Sequence, residues 1–70
     1  MPTKIFEKAQ YFDCEDELRN VFDCASINLL EGCQLFLEGR IKINHNATFS
    51  GNCEIHNGCE IGIGSVLDNV

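Results

Sequence analysis

The chain has 70 residues, with 11 acidic and 5 basic side chains and a formal net charge of −6. The acidic balance argues against binding to nucleic-acid phosphates or to an anionic membrane surface. No apolar run approaches the length of a membrane span and the N-terminus does not resemble a signal peptide, so we expect a cytoplasmic protein that binds neither nucleic acid nor membrane.

The first segment, residues 1–25, is predicted to be a helical cap made of one or two short helices. Ile5, Ala9 and Phe12 fall on one face of a first, short helix. A second helix is expected to begin at an N-cap, Asp13, and to carry acidic residues in its first turn, where they meet the positive end of the helix dipole. Its apolar face consists of Cys14, Leu18, Val21, Phe22 and Ala25.

Residues 26–36 are predicted to form an irregular strand that leads into a repeat. Apolar and polar residues alternate there, and Glu31-Gly32 predicts a turn in the middle. Extending the repeat backwards would place Glu31 where a large aliphatic residue belongs. We therefore expect this strand to depart from the regular pattern.

Residues 37–70 form a repeat of six residues, which is the strongest feature of the sequence. The repeat divides into LEGRIK, INHNAT, FSGNCE, IHNGCE, IGIGSV and an incomplete LDNV. The first position is always large and apolar, the fifth is mostly small, and the sixth is mostly polar. The third and fourth positions always include a Gly or an Asn, the residues that most readily adopt positive φ in turns.

This period predicts short strands separated by turns, with the first and fifth positions buried. Three turns would return the chain to its starting direction, so that successive coils stack in parallel register. The expected neighbours are Leu37 with Ile55, Ile43 with Ile61, Phe49 with Leu67, Leu35 with Cys53, Ile41 with Cys59 and Ala47 with Ser65. An antiparallel meander also explains the turn residues, but it does not explain the fixed places of large and small inward residues.

The five cysteines form an odd set without CxxC spacing. We therefore expect reduced thiols, with neither a disulfide framework nor a structural zinc site. Cys53 and Cys59 occupy the small fifth position of the repeat, where packing is the expected role. The sequence assigns no metal and no cofactor.

The stretch LEGRIKINHNATFSGNCEIHNGCEIGIG resembles the hexapeptide-repeat proteins, which wind as a left-handed parallel β-helix and are mostly acyltransferases. Residues 22–69 are most similar to the first coils of the acetyltransferase domain of the bifunctional enzymes that make UDP-N-acetylglucosamine. The resemblance implies a mainly β fold class, a short left-handed parallel β-helix of about two coils behind one or two N-terminal helices. It also implies a homotrimer. The sequence provides no cap for the C-terminal end of the repeat. This uncapped end is where two trimers could pack end to end.

In that family the active site lies between neighbouring subunits, with a histidine as general base and an acyl-CoA as the acyl donor. The coils that supply these features have no counterpart in this sequence, so no catalytic residue can be transferred to it. His45, at a turn position, and His56, at an outward position, are the remaining candidates for a base. The alternative is that each of these histidines lies on the surface and has no catalytic role.

These observations support three hypotheses about function. The first is a small oligomeric module, related to sugar-nucleotide acetyltransferases, that is non-catalytic or a fragment. The alternative is an acyl-CoA-dependent N-acetyltransferase that binds acetyl-CoA in sites between subunits. A third is a carbohydrate-binding or anion-binding surface made by the backbone amides of the turns, and the net charge of −6 works against anions.

Overall fold

A computed structural model describes residues 3–70; the first two residues of the predicted helical cap lie outside the described part of the chain. Within residues 3–70 the chain forms one helix and seven strands. In order they are β1 (Thr3–Phe12), α1 (Glu15–Phe22), β2 (Asn28–Leu29), β3 (Gln34–Ile43), β4 (Thr48–Ser50), β5 (Asn52–Ile55), β6 (Glu60–Ile61) and β7 (Val66–Asp68).

The strands form two sheets. The first sheet is mixed, because β1 is antiparallel to β3 while β5 and β6 are parallel to it. The second sheet is parallel, in the order β2, β4, β7. With α1 packed against β1 and β2, the chain is a small α/β domain. The predicted fold class, a mainly β left-handed parallel β-helix behind N-terminal helices, is wrong, because a ten-residue antiparallel strand and two sheets stand where helices and a solenoid were expected.

The register of the parallel strands agrees with the period of the repeat. The expected neighbours found as partners are Leu35 with Cys53, Leu37 with Ile55, Ile43 with Ile61 and Phe49 with Leu67. Each of these pairs joins residues that are 18 positions apart. Because every pairing among β3 to β7 is parallel, the antiparallel meander is wrong for residues 34–70.

Strand β1 forms where the first helix was predicted. It pairs with β3, which is also ten residues long, and a register shift between Phe6 and Gln10 divides the pairing into two parts. Phe6 and Phe12 are buried, whereas Ile5 is 69% exposed. The ladder of hydrogen bonds to β3 thus outweighs the helical spacing of the apolar residues, since local propensity is a weak determinant in a tertiary context.

Helix α1 lies inside the second predicted helix and is shorter than it. Its N-cap is Cys14 rather than the expected Asp13, and no side chain bonds to the first-turn amides from that position. Leu18 and Phe22 are buried, as the apolar spacing predicts. The helix ends at Asp23, which adopts a left-handed conformation with φ of 50°.

Three phenylalanines join α1 to the core. The ring centroid of Phe6 lies 6.0 Å from that of Phe12 and 5.9 Å from that of Phe22. The core continues along the inward positions of both sheets, where the fully buried side chains include Leu35, Leu37, Ile41, Ile43, Ala47 and Phe49. Burial of each large apolar side chain contributes about 1.5–3 kcal/mol, and this term holds the two sheets together.

Side-chain amides connect one turn to the next. The Asn52 N–H donates a hydrogen bond to Asn69 Oδ1 at 2.9 Å. The same amide group fills the space beside Gly51, which has φ of 67°. A Cβ at Gly51 would collide with the amide, so this position needs glycine both for its backbone conformation and for its neighbour.

Gly51→Ala should destabilise the protein more than Gly32→Ala, which is a matched control with φ of 80° and open space around the added Cβ. Both substitutions place a side chain in the left-handed region, at about 1–2 kcal/mol each. Only Gly51→Ala also displaces the Asn69 amide, which should add about 1 kcal/mol for the hydrogen bond. Urea unfolding of the two variants measures the difference, and equal losses would contradict the role of Asn69.

Candidate functional site

The two candidate histidines belong to different clusters of side chains. His45 lies in the turn after β3 and contacts residues that follow α1. His56 lies directly after β5 and contacts the exposed face of the mixed sheet. The two clusters share no residue, so the structure does not combine the histidines into one site.

The first cluster consists of Cys24, Ser26 and His45 and is called here the thiol–imidazole cluster. Ser26 Oγ lies 3.1 Å from His45 Nδ1 and 3.3 Å from Cys24 Sγ. Cys24 Sγ lies 3.6 Å from the same imidazole nitrogen. A thiol, a hydroxyl and an imidazole therefore converge, which is the arrangement of a nucleophile beside a base.

Backbone geometry fixes the two sides of the thiol–imidazole cluster against each other. On one side, the Cys24 N–H donates to the carbonyl of Arg19 at 3.0 Å, directly after the left-handed residue Asp23. On the other side, the Asn46 N–H donates to Ser26 Oγ at 3.2 Å. Asn46 has φ of 62° and forms the turn after β3. The end of α1 and this turn are thereby held together.

The Ser26 hydroxyl lowers the pKa of the Cys24 thiol by hydrogen bonding to its sulfur. Burial acts in the opposite direction because it disfavours the thiolate, and the negative charge of Asp23 also opposes ionisation. Cys24 is only 8% exposed. The Cys24 thiol is therefore largely buried, and the Ser26 hydroxyl can donate a hydrogen bond to its thiolate.

An open depression borders the thiol–imidazole cluster. Its lining residues are Asp16, Arg19, Asn20, Asp23, Cys24 and Ala25. The cation among them is already engaged, because Arg19 Nε donates to the carbonyl of Ile27 at 2.8 Å and its Nη2 pairs with Glu15 at 3.2 Å. With two carboxylates in the lining and its arginine occupied, the depression favours a neutral molecule over an anion.

The second cluster consists of His56, Glu38 and Glu54 and is called here the carboxylate–imidazole cluster. His56 Nδ1 lies 3.3 Å from Glu38 Oε1, and its Nε2 lies 3.3 Å from Glu54 Oε1. The ring packs against Phe36 at a centroid distance of 5.5 Å. The hydrogen bond with Glu38 contributes most to raising the pKa of His56, and Glu54 adds to it. All three side chains are at least half exposed, so no enclosed space for a substrate surrounds this histidine.

The other cysteines are either buried or remote from a base. Cys33 and Cys53 are each 1% exposed, and burial, followed by the charge of Cys53, raises the pKa of Cys33 to about 11. Cys53 is part of the core, as its position in the repeat predicts, and Cys59 is packed against it. Cys14 is exposed. Within residues 3–70, no three His, Cys, Asp or Glu side chains gather in a way that could hold a metal ion.

At one end of the sheets the edges of β3 and β2 have partners from the N-terminal part of the chain. Strand β1 pairs with one edge of β3. Two side chains of helix α1 hydrogen-bond to the edge of β2. The Leu29 N–H donates to Glu15 Oε2 at 3.0 Å, and Arg19 Nε donates to the Ile27 carbonyl. One donor and one acceptor at the edge of β2 therefore have side-chain partners, while β1 is the outer strand of the mixed sheet at this end.

The edge at the other end is largely uncovered. Residues 69–70 lie along β5, where the Glu54 N–H donates to the carbonyl of Val70 at 2.8 Å. No strand among residues 3–70 pairs with the outer sides of β6 and β7, which are called here the open edge. Ile63 and Val66 are each 74% exposed beside it. The open edge thus combines strand backbone with apolar side chains.

Comparisons with known proteins do not assign this chain to a family. The chain matches no family model, no curated protein and no solved structure. The resemblance to the hexapeptide-repeat proteins therefore stays a prediction. Among the described residues, no helix has the length and apolar character needed to cross a membrane.

Sequence reasoning identified His45 but missed its two neighbours. The reason lies in the register of β2, which pairs Asn28 with Thr48 across 20 positions instead of the 18 found later in the chain. With an offset of 18, Ser26 would lie opposite Asn44 instead of Asn46. The signal that could have found the cluster is the Cys-Ala-Ser sequence that follows the end of α1.

We expect the imidazole of His56 to titrate above its ordinary pKa of 6.5. Glu38→Gln should lower this pKa more than the matched variant Glu54→Gln, because the hydrogen bond to Glu38 contributes most to the shift. The chemical shifts of the imidazole protons, followed by NMR against pH in the three proteins, measure the effect. Equal pKa values in both variants would contradict the dominant role of Glu38.

The same cluster should make stability depend on pH. Because the pKa of His56 is raised in the folded state, its contribution is fully present below pH 6.5 and is lost as the pH rises through the folded-state pKa. The stability difference between the native chain and His56→Gln should therefore shrink as the pH rises above 6.5. Urea unfolding at several pH values measures it, and a difference that grows with pH would contradict the assignment.

Proposed function

We propose that this chain is a small self-associating module with a structural role, and that its copies meet through the open edge. The observation that carries the proposal is the chemistry of the open edge, where β6 and β7 present strand backbone beside exposed Ile63 and Val66. An apolar strand edge of this kind is a template for pairing with another chain. At the other end β1 is also an outer strand, but its exposed side chains include the charged Lys4, Glu7 and Lys8, which discourage strand pairing.

A second copy of the chain is a suitable occupant of the open edge. β7 has three residues, of which Leu67 packs against the core while Val66 and Asp68 are exposed. If two copies pair antiparallel about Leu67, each Val66 lies beside an Asp68, so that the two carboxylates do not face each other directly. A two-fold contact of this type uses the same surface on both copies and closes on itself.

The size and charge of the chain bear on this association. A chain of 70 residues has a limited core, and an interface adds buried apolar surface. The net charge of −6 makes copies repel, so the association should strengthen as salt screens the repulsion. We keep the cytoplasmic location as part of the proposal, with no nucleic-acid or membrane partner.

The kinship to sugar-nucleotide acetyltransferases and the homotrimer stay predictions. Pairing through the open edge alone gives a dimer, whereas the predicted homotrimer requires a different contact that closes around a three-fold axis. Both together give the end-to-end pair of trimers. The mass of the particle in solution therefore distinguishes the three arrangements.

Ile63→Glu should dissociate the oligomer, because it places a charge beside the open edge. Ile5→Glu is the matched control, since Ile5 is 69% exposed, lies on β1 at the opposite end of the sheets and undergoes the same change of charge. Sedimentation velocity at micromolar concentration should give an oligomer for the native chain and for Ile5→Glu, and monomers for Ile63→Glu.

Two results would overturn this assignment. A native chain that sediments as a monomer at low and at high salt would exclude self-association. An oligomer that Ile63→Glu leaves intact would place the contact on a surface other than the open edge. A shift from oligomer to monomer as salt is lowered would agree with repulsion between acidic copies.

One observation favours the alternative, an acyl-CoA-dependent N-acetyltransferase with sites between subunits. Arg40 and Lys42 line a depression together with Cys59 and Glu60, and cations are what the phosphates of acetyl-CoA require. However, Lys42 Nζ already pairs with Glu60 at 3.7 Å. Neither candidate histidine lines this depression, so the structural role is the better supported of the two.

Titration calorimetry with acetyl-CoA separates the two functions. We expect no heat of binding at about millimolar ligand, where even weak sites of about 4 kcal/mol are detected. Binding that is lost in Arg40→Gln and kept in the control Lys8→Gln, on the exposed face of β1, would instead support the acyltransferase.

A further inference from the structure

We propose that the thiol–imidazole cluster is a site of thiol–disulfide exchange, at which Cys24 attacks a small neutral disulfide and becomes a mixed disulfide. The proposal goes beyond self-association and does not depend on it. Its basis is the convergence of Cys24 Sγ, Ser26 Oγ and His45 Nδ1 within 3.6 Å of one another, beside an open depression.

The hydrogen bonds of the cluster can all point in one direction once the thiol has lost its proton. The proton moves from Cys24 Sγ to His45 Nδ1, either across 3.6 Å or through the Ser26 hydroxyl at 3.1 Å from the imidazole. Ser26 Oγ then accepts from His45 and from the Asn46 N–H, while its own hydrogen is directed to the sulfur. In this arrangement the thiolate accepts a hydrogen bond from Ser26, and the proton held by His45 is hydrogen-bonded to Ser26 Oγ.

The surrounding charges decide which disulfides can enter. Asp16 and Asp23 line the depression and repel anionic molecules, and Asp23 also opposes the thiolate. Arg19 is held by Glu15 and by a backbone carbonyl, so it does not offset them for a ligand. The depression therefore disfavours disulfides that carry negative charge, and a small uncharged disulfide is the class that we propose.

The exchange step is balanced without another reactant. The Cys24 thiolate attacks one sulfur of the disulfide, a new sulfur–sulfur bond forms, and the original one breaks. The leaving thiolate takes the proton from His45 and departs as a thiol. Cys24 is oxidised to the level of a disulfide, and the departing half of the small molecule is reduced.

The remaining cysteines provide comparisons inside the same chain. Cys33 and Cys53 are each 1% exposed, and the raised pKa of Cys33 removes its thiolate at neutral pH. Cys14 is exposed, and its side chain has no hydrogen-bond partner among residues 3–70. Exposure alone therefore predicts that Cys14 reacts first, whereas the cluster predicts Cys24.

The test is treatment of the full chain with bis(2-hydroxyethyl) disulfide, followed by peptide mapping with mass spectrometry. At about pH 7, Cys24 should be modified faster than Cys14, because the hydrogen bond from Ser26 favours the Cys24 thiolate, which is the attacking species.

Two variants examine the neighbours of the thiol. Ser26→Ala and His45→Gln should each slow modification of Cys24 and move its pH profile upward, and both should leave Cys14 unchanged. Ser50→Ala and His56→Gln are matched controls, since they remove the same chemical groups outside the cluster and should not change the rate at Cys24.

Faster modification of Cys14 than of Cys24 in the native chain would overturn the proposal. So would a rate at Cys24 that Ser26→Ala and His45→Gln leave unchanged. If either variant fails to fold, the comparison of the rates at Cys24 and Cys14 in the native chain still decides the question.

Discussion

The structure depends on what happens to the backbone hydrogen-bonding groups at the edges of its two sheets. A strand edge that lacks a partner leaves a row of donors and acceptors unpaired, which in a small domain is a liability as well as a binding surface. At one end the chain supplies partners from its own N-terminal residues: β1 for β3, and Glu15 and Arg19 of α1 for β2. At the other end only residues 69–70 turn back along β5. The outer strand at the first end, β1, carries charged exposed side chains, whereas β6 and β7 lie beside exposed Ile63 and Val66, so the two ends differ chemically.

The same constraint explains which parts of the fold could be predicted from the sequence. The repeat determines the register, because a parallel strand shifted by one residue would turn Leu37 and Phe49 away from the core. The N-terminal segment contains no repeat that would determine its secondary structure or its register. Its apolar residues suit a helix almost as well as a strand, and the deciding factor is the free edge of β3, which no local pattern reveals. The stacked coil was predicted from the six-residue period and its left hand from the family resemblance, and the left-handed β-helix is the part that failed.

The residues of the candidate site that lie in the regular repeat could be predicted from the sequence, whereas those that precede it could not. His45 and His56 could be identified from the sequence because they stand at turn and outward positions of the repeat. Their partners could be predicted only where the regular register applies, as it does for Glu38 and His56, which are 18 positions apart. Cys24 and Ser26 precede the regular part, in the region where β2 pairs across 20 positions. Their contact with His45 depends on that irregularity, which is created by the turn between β2 and β3.

The contacts of α1 with the edge of β2 and the formation of the thiol–imidazole cluster therefore depend on the same reversal of the chain. Glu15 and Arg19 can reach the edge of β2 only if the chain reverses directly after α1, and the left-handed Asp23 makes that reversal. The reversal places Cys24 and Ser26 against the turn that contains His45 and Asn46. A change in the oxidation state of Cys24 would act on the end of α1, and through it on the side chains that cover β2. The open edge belongs to strands β6 and β7, so reactivity at the cluster and association at the edge lie on different parts of the fold.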